Sequence, residues 1–162
     1  MGYYIRVLSP MESAPTLREI CDCLSNNKLK FSINYSNNSK ELNNKKWKQI
    51  LFQYDPKNIP IILDRDVISE SKNIVTDEIN EFLDKINELG FSLNKGKIKK
   101  MLQVTKQIFA LQIPTTDITG NNWEGWKLTD AIVKYLVENT NGFVQADGEG
   151  FYIGKKLVLK LE

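Results

Sequence analysis

The run Gly142-Phe-Val-Gln-Ala-Asp-Gly-Glu-Gly-Phe-Tyr152 constrains this chain more than any other stretch. Asp147-Gly148 between two apolar, β-prone segments is a strong hairpin signal, because Gly accepts positive φ without steric cost. Gly154-Lys155 marks a second turn before Lys156 to Leu161, so the chain from Phe143 onward reads as a three-stranded meander. Strands joined this tightly pair antiparallel.

The rest of the chain supplies strands and helices to go with that meander. Tyr3 to Leu8 is a β-prone run. Pro15 suits the first turn of a helix whose apolar stripe is Leu17, Ile20, Cys21 and Leu24, and Asn26-Asn27 ends it. Phe31, Ile33 and Tyr35 alternate with polar residues, as a half-buried strand does. Ser36 to Lys46 is an Asn-rich loop. Trp47 to Tyr54 and Ile59 to Leu63 read as further strands, the second covered on both faces, and Asp64-Arg65-Asp66 then returns to solvent. Thr76 is the expected cap of a helix striped by Ile79, Phe82, Leu83, Ile86 and Leu89, with Gly90 as its left-handed stop. Lys95 to Leu102 reads as a weaker helix, Thr105 to Ile113 as a strand, and Thr115 to Asn122 as a loop. Trp123 to Asn139 is helical, with Leu128, Ala131, Ile132, Tyr135 and Leu136 on one face.

This pattern predicts an α+β fold: a mostly antiparallel sheet with helices packed on one face. Residues 1–162 are expected to form a single globular domain. The order strand, helix, strand pair occurs twice, so a pseudo-duplicated βαββ arrangement is one reading. Its halves would be 1–70 and 105–162, joined by a helical segment 76–102.

Composition narrows function mainly by exclusion. With no histidine in 162 residues, Ser-His-Asp and Cys-His catalysis and His-ligated metals fall away. Cys21 and Cys23 are the only cysteines, too close on a helix for an unstrained disulfide, and Cys21 reads as a small core residue. No cofactor motif is present and no metal site is expected. A net charge of +2 creates no strong field. The first residues lack a signal-peptide or myristoylation pattern, and no apolar run approaches a membrane span. A cytoplasmic protein without membrane or nucleic-acid contacts is the expectation.

Four features are candidates for chemistry. Asp147 and Glu149, beside Tyr152, either form a carboxylate pair that binds a cation, a basic ligand or a basic partner, or are simply solvated; crowding would raise the pKa of each. The segment Asp117-Ile-Thr-Gly-Asn-Asn-Trp-Glu-Gly-Trp126 places Asp117, Trp123, Glu124 and Trp126 close together. It is either a partner hot spot or a staple holding the helix start on the core. Lys95, Lys97, Lys99, Lys100 and Lys106 have no acid between Glu88 and Asp117. Arg, the preferred residue for nucleic-acid readout, is scarce, so a solvated helix face is the expectation. Asp64-Arg65-Asp66 is read as a solvent-facing segment.

Thr105-Lys-Gln-Ile-Phe-Ala-Leu-Gln-Ile-Pro114, the Trp-containing helix and Gln145-Ala-Asp-Gly-Glu-Gly-Phe-Tyr152 resemble a group of small uncharacterised bacterial proteins. The likeness covers the last third of the chain, and no activity is assigned to that group. It implies a bacterial origin and a shared fold. Some small proteins of this kind are suspected immunity partners of secreted toxins.

The leading expectation is therefore a non-enzymatic, protein-binding module, immunity-like or regulatory. Asp117, Trp123, Glu124, Trp126, Asp147, Glu149 and Tyr152 are its candidate binding residues. A small-molecule-binding domain of the tandem βαββ effector-binding type is the alternative. A carboxylate-dependent hydrolase comes third.

Overall fold

Neighbouring apolar residues in the central strands send side chains to both faces of one sheet, and both faces therefore need a cover. In β1 (Gly2–Ser9), Val7 and Leu8 are each fully buried, but in separate clusters. Ile108 and Phe109 in β5 (Gln107–Pro114) divide in the same way. The structure is a computed structural model that describes residues 2–35, 42–114 and 123–161.

The other elements are α1 (Leu17–Asn26), β2 (Ser32–Tyr35), β3 (Gln49–Gln53), β4 (Ile61–Val67), α2 (Lys72–Glu88), α3 (Lys95–Gln103), α4 (Trp123–Thr140), β6 (Phe143–Ala146), β7 (Gly150–Ile153) and β8 (Lys156–Lys160). Among the described residues, eight strands form one sheet in the order β2-β3-β4-β5-β1-β6-β7-β8. Each neighbouring pair is antiparallel. The α+β class and the antiparallel sheet are thus as the sequence predicts. The helices, however, lie in two pairs, one on each face.

Helices α1 and α4 pack over Val7, Ile50, Phe52, Leu63 and Phe109 through Leu17, Ile20, Leu24, Leu128, Ile132 and Leu136. On the other face, α2 and α3 cover Leu8, Ile108, Phe143 and Phe151 through Val75, Phe82, Ile86, Ile98 and Leu102. Phe82 meets Phe151 edge to face, with ring centroids 5.5 Å apart. The segment between the two presumed halves is therefore part of the core. The recurring unit has one strand more than βαββ: each half runs strand, helix, three strands, and the first strands of the two units, β1 and β5, are the central pair. The meanders attach differently: the first joins β5 by its last strand, β4, and the second joins β1 by its first strand, β6.

Several local expectations change. Strand β4 continues through Asp64-Arg65-Asp66 to Val67, with burial alternating along its length. Arg65 consequently points inward and is 7% exposed. Its guanidinium donates to Gln107 Oε1 at 3.0 Å and to the carbonyls of Glu12, Lys45 and Trp47 at 2.9, 3.1 and 3.3 Å. Thr16 caps α1, accepting from Glu19 N at 3.1 Å, so Pro15 stands just before the cap. Helix α2 starts one turn before Thr76, at Lys72, where Val75 adds a buried side chain. It closes on Leu89 in an extended conformation, and Gly90 is not left-handed.

Candidate functional site

The hairpin between β6 and β7 is shaped by two glycines. Gly148 takes φ 73°, the turn conformation expected of an Asp-Gly pair. Gly150 takes φ 145°, and a Cβ there would lie 2.1 Å from the carbonyl oxygen of Leu159. Strand β8 can approach only because that Cβ is missing. Asp147 continues the ladder to β1: its N–H donates to Tyr4 O at 3.1 Å, and its Oδ2 accepts from Tyr4 N at 3.2 Å.

The two acids of the turn then part. Arg6 and Tyr3 lie on opposite faces of β1, and each takes one carboxylate. Arg6 Nη1 donates to Asp147 Oδ1 at 2.9 Å and to Gln145 Oε1 at 2.7 Å, and its Nε pairs with Glu78 of α2. The guanidinium also sits over the rings of Tyr4 and Phe82, at 5.1 and 5.6 Å. Asp147 is therefore committed to an ion-pair network beneath α2.

Glu149 belongs to the α4 face. Its Oε1 accepts from Tyr152 OH at 2.6 Å, and its Oε2 accepts from Tyr3 OH. Hydrogen bonds from Tyr152 and then Tyr3 hold its carboxyl below the usual glutamate range. Burial and the bond to Glu149 push the Tyr3 phenol up. Tyr152 is raised chiefly by its own bond to Glu149. Crowded carboxylates were expected to shift upward; Glu149 moves the other way, because its neighbours are donors rather than acids. Nor are the two acids simply solvated.

Trp126 packs edge-on against Tyr3, with centroids 6.2 Å apart and planes at 69°. The fold thus brings Trp126, Glu149 and Tyr152 together at the hairpin end, through Tyr3. Trp123 and Glu124 open α4, but their side chains lie outside the described residues, as does Asp117. Tyr3, Tyr4, Arg6, Glu78 and Gln145 were not singled out by sequence. One signal was available: Arg6 is one of only three arginines and interrupts an otherwise β-prone, uncharged run.

The remaining candidates are arranged differently. Asp64 and Asp66 project from the β4 face opposite Arg65, and Gln49 Nε2 donates to Asp64 Oδ1 at 2.8 Å. Burial, then the Asp64 charge, raises Asp66. Cys21 and Cys23 are free and half-buried, and burial, followed by Asp22, pushes the Cys21 thiol up to about 11. A groove of about 300 Å³ between α1 and α4 is lined by residues including Cys23, Lys134, Tyr135 and Glu138. Among the described residues, no group of three or more His, Cys, Asp or Glu is placed to hold a metal ion. Among the same residues, no helix is long and apolar enough to cross a membrane. No family model, curated protein or solved structure matches the chain.

Proposed function

We propose that this chain is a non-enzymatic, protein-binding module of a bacterial cytoplasm, immunity-like or regulatory in role, whose contact surface is the hairpin end of the sheet. The observation that carries this reading is Glu149, an exposed carboxylate held by two phenols beside Trp126. Two bonds keep it ionised and oriented, so little side-chain entropy remains to be lost on contact. Tyr and Trp supply the rigid aromatic area that dominates interface energetics. A partner complementary to this surface presents Arg or Lys to Glu149 and an apolar rim to Trp126. Asp147 is spoken for by Arg6 and the two acids face different sides, which argues against paired-carboxylate hydrolysis.

The small-molecule reading draws support from the groove between α1 and α4, where Tyr135 and Glu138 offer an aromatic ring and a carboxylate. Affinity capture from the producing cells, followed by a binding isotherm with the purified partner, separates the two. Trp126→Ala and Glu149→Gln are each expected to weaken that isotherm roughly tenfold or more, the range of an interface hot spot, without loss of fold by circular dichroism. An isotherm unchanged by both variants removes the hairpin surface. Capture of a small metabolite lost in Tyr135→Ala moves the function to the groove.

A further inference from the structure

Residues 89–116, the longest acid-free stretch of the chain, and residues 150–161 contain no acid. Together they hold eight of the 22 basic residues, all eight of them lysine, while all 20 acids lie elsewhere. The fold joins these stretches. Asn94, at the start of α3, donates from Nδ2 to the carbonyl of Val158 in β8 at 2.7 Å. Strand β8 is an edge of the sheet. The loop from α2 to α3 passes this edge and is tied down there, with Lys95 Nζ donating to Leu89 O at 2.8 Å. Between those ties it holds Phe91 94% exposed and Leu93 87% exposed, while Leu157 on β8 is 39% exposed. Lys97 and Lys100 from α3 and Lys155, Lys156 and Lys160 from the last hairpin are exposed as well. The acids of α2 end at Glu88, before the loop.

We propose that this surface docks on an anionic lipid bilayer, with Phe91 and Leu93 entering the boundary between headgroups and acyl chains and the lysines resting over the anionic headgroups. The choice of bilayer follows from residue types. Lysine is a compact, strongly hydrated point charge suited to diffuse attraction by a charged surface, whereas nucleic-acid and phosphate readout favours the planar fork of Arg. Protein hot spots favour Trp, Tyr and Arg, and none of these is at the tip. A short apolar insertion backed by a polybasic patch supplies the two signals that stable peripheral binding requires. Sequence alone suggested a solvated lysine face and no membrane contact. Lys156 of β8, more than fifty residues downstream of the α3 lysines, joins that face only through the tertiary structure, with the contact at Asn94 tying α3 to β8. Leu157 and Lys160 sit opposite Tyr152 and Gly150 in the ladder, but Phe91, Leu93, Lys97 and Lys100 lie off the hairpin, so variants at those four positions test the lipid surface apart from the hairpin surface.

The test is co-sedimentation of the full chain with vesicles of phosphatidylcholine alone and of phosphatidylcholine mixed with phosphatidylserine. Binding to the mixed vesicles only, weakened by added salt, is the expected result. Phe91→Ser with Leu93→Ser, and separately Lys97→Glu with Lys100→Glu, should each weaken it roughly tenfold or more, because either signal alone binds marginally. All four side chains are exposed, so the melting temperature should not change. Phe91→Trp adds a direct reporter: its emission should move to shorter wavelength with the mixed vesicles. Equal sedimentation with both vesicle types, or none with either, would overturn the proposal. So would full binding by Phe91→Ser with Leu93→Ser, an unmoved Phe91→Trp emission, or tighter binding to a DNA duplex than to the mixed vesicles.

Discussion

At Glu149 one carboxylate holds two phenols, and both ends of that latch titrate. The glutamate is depressed in the folded chain, so its contribution is present above its ordinary value of ~4.3 and lost as pH falls through the folded value. Tyr3 and Tyr152 are raised, so theirs is present below ~10 and lost as pH rises through the folded values. Glu149→Gln should therefore remove part of both the acid and the alkaline loss of stability. In a phenolate absorbance titration it should return Tyr152 most of the way to ordinary behaviour and Tyr3 only part way, since burial is the larger cause at Tyr3. An identical titration in the variant would show that the latch does not form in solution. The two turn glycines differ as sharply. Gly148→Ala meets only backbone strain, with open space around its Cβ, and should cost about 1–2 kcal/mol. Gly150→Ala adds a collision with the Leu159 carbonyl and should cost roughly 3 kcal/mol or more. Chemical denaturation of both variants checks the ranking. The Asp-Gly turn was legible because its signal lies within adjacent residues. The engagement of Asp147 was not, because its partner Arg6 is 141 positions away.

Among the elements, helix positions followed from periodicity, and the exact buried stripe followed from packing. Phe82 and Ile86 of α2 and Ile132 and Leu136 of α4 are buried as their spacing predicts. Leu83 and Tyr135, on the same predicted stripes, are only partly buried. The sheet presses on the Val75, Ile79, Phe82, Ile86 line of α2, and Leu83 stands at its margin. Ile86→Ala and Leu136→Ala should each cost about 2–5 kcal/mol, the usual range for a buried side chain that leaves a cavity. Leu83→Ala should cost roughly 1–2 kcal/mol, since part of that side chain is already in water. Urea melts giving Leu83→Ala the largest loss would mean the helix is rotated from this position. The start of α2 also escaped prediction. Thr76 has the better capping chemistry, but the burial of Val75 outweighs it and draws the helix back to Ser71, which makes no side-chain cap bond.

At the scale of the whole molecule, Arg65 ties together pieces that sequence kept apart. It donates to three loop carbonyls and to Gln107, lies over the Trp47 ring at 5.7 Å, and Gln107 in turn donates to Ser13 O at 2.7 Å. Burial lowers its pKa. Arg65→Met should cost roughly 3 kcal/mol or more, because several buried acceptors lose their donor at about 1–3 kcal/mol each. Arg65→Lys should recover little, since a single ammonium cannot span the same acceptors. A melting temperature for Arg65→Lys equal to that of the parent would contradict this role. Sequence alone read Asp64-Arg65-Asp66 as solvent-facing, because three charges in a row outweigh one alternation pattern. By itself the sequence determined the class of fold, most strand and helix positions and the terminal meander, since propensity, periodicity and turn chemistry act between near neighbours. Tertiary structure alone decided that both faces of the sheet are covered, that Arg65 is buried, that the two turn acids part, and that Trp126 reaches Glu149 through Tyr3. Each of these depends on which distant strands become neighbours, and strand order is set by the total burial of the whole chain, which no local pattern carries.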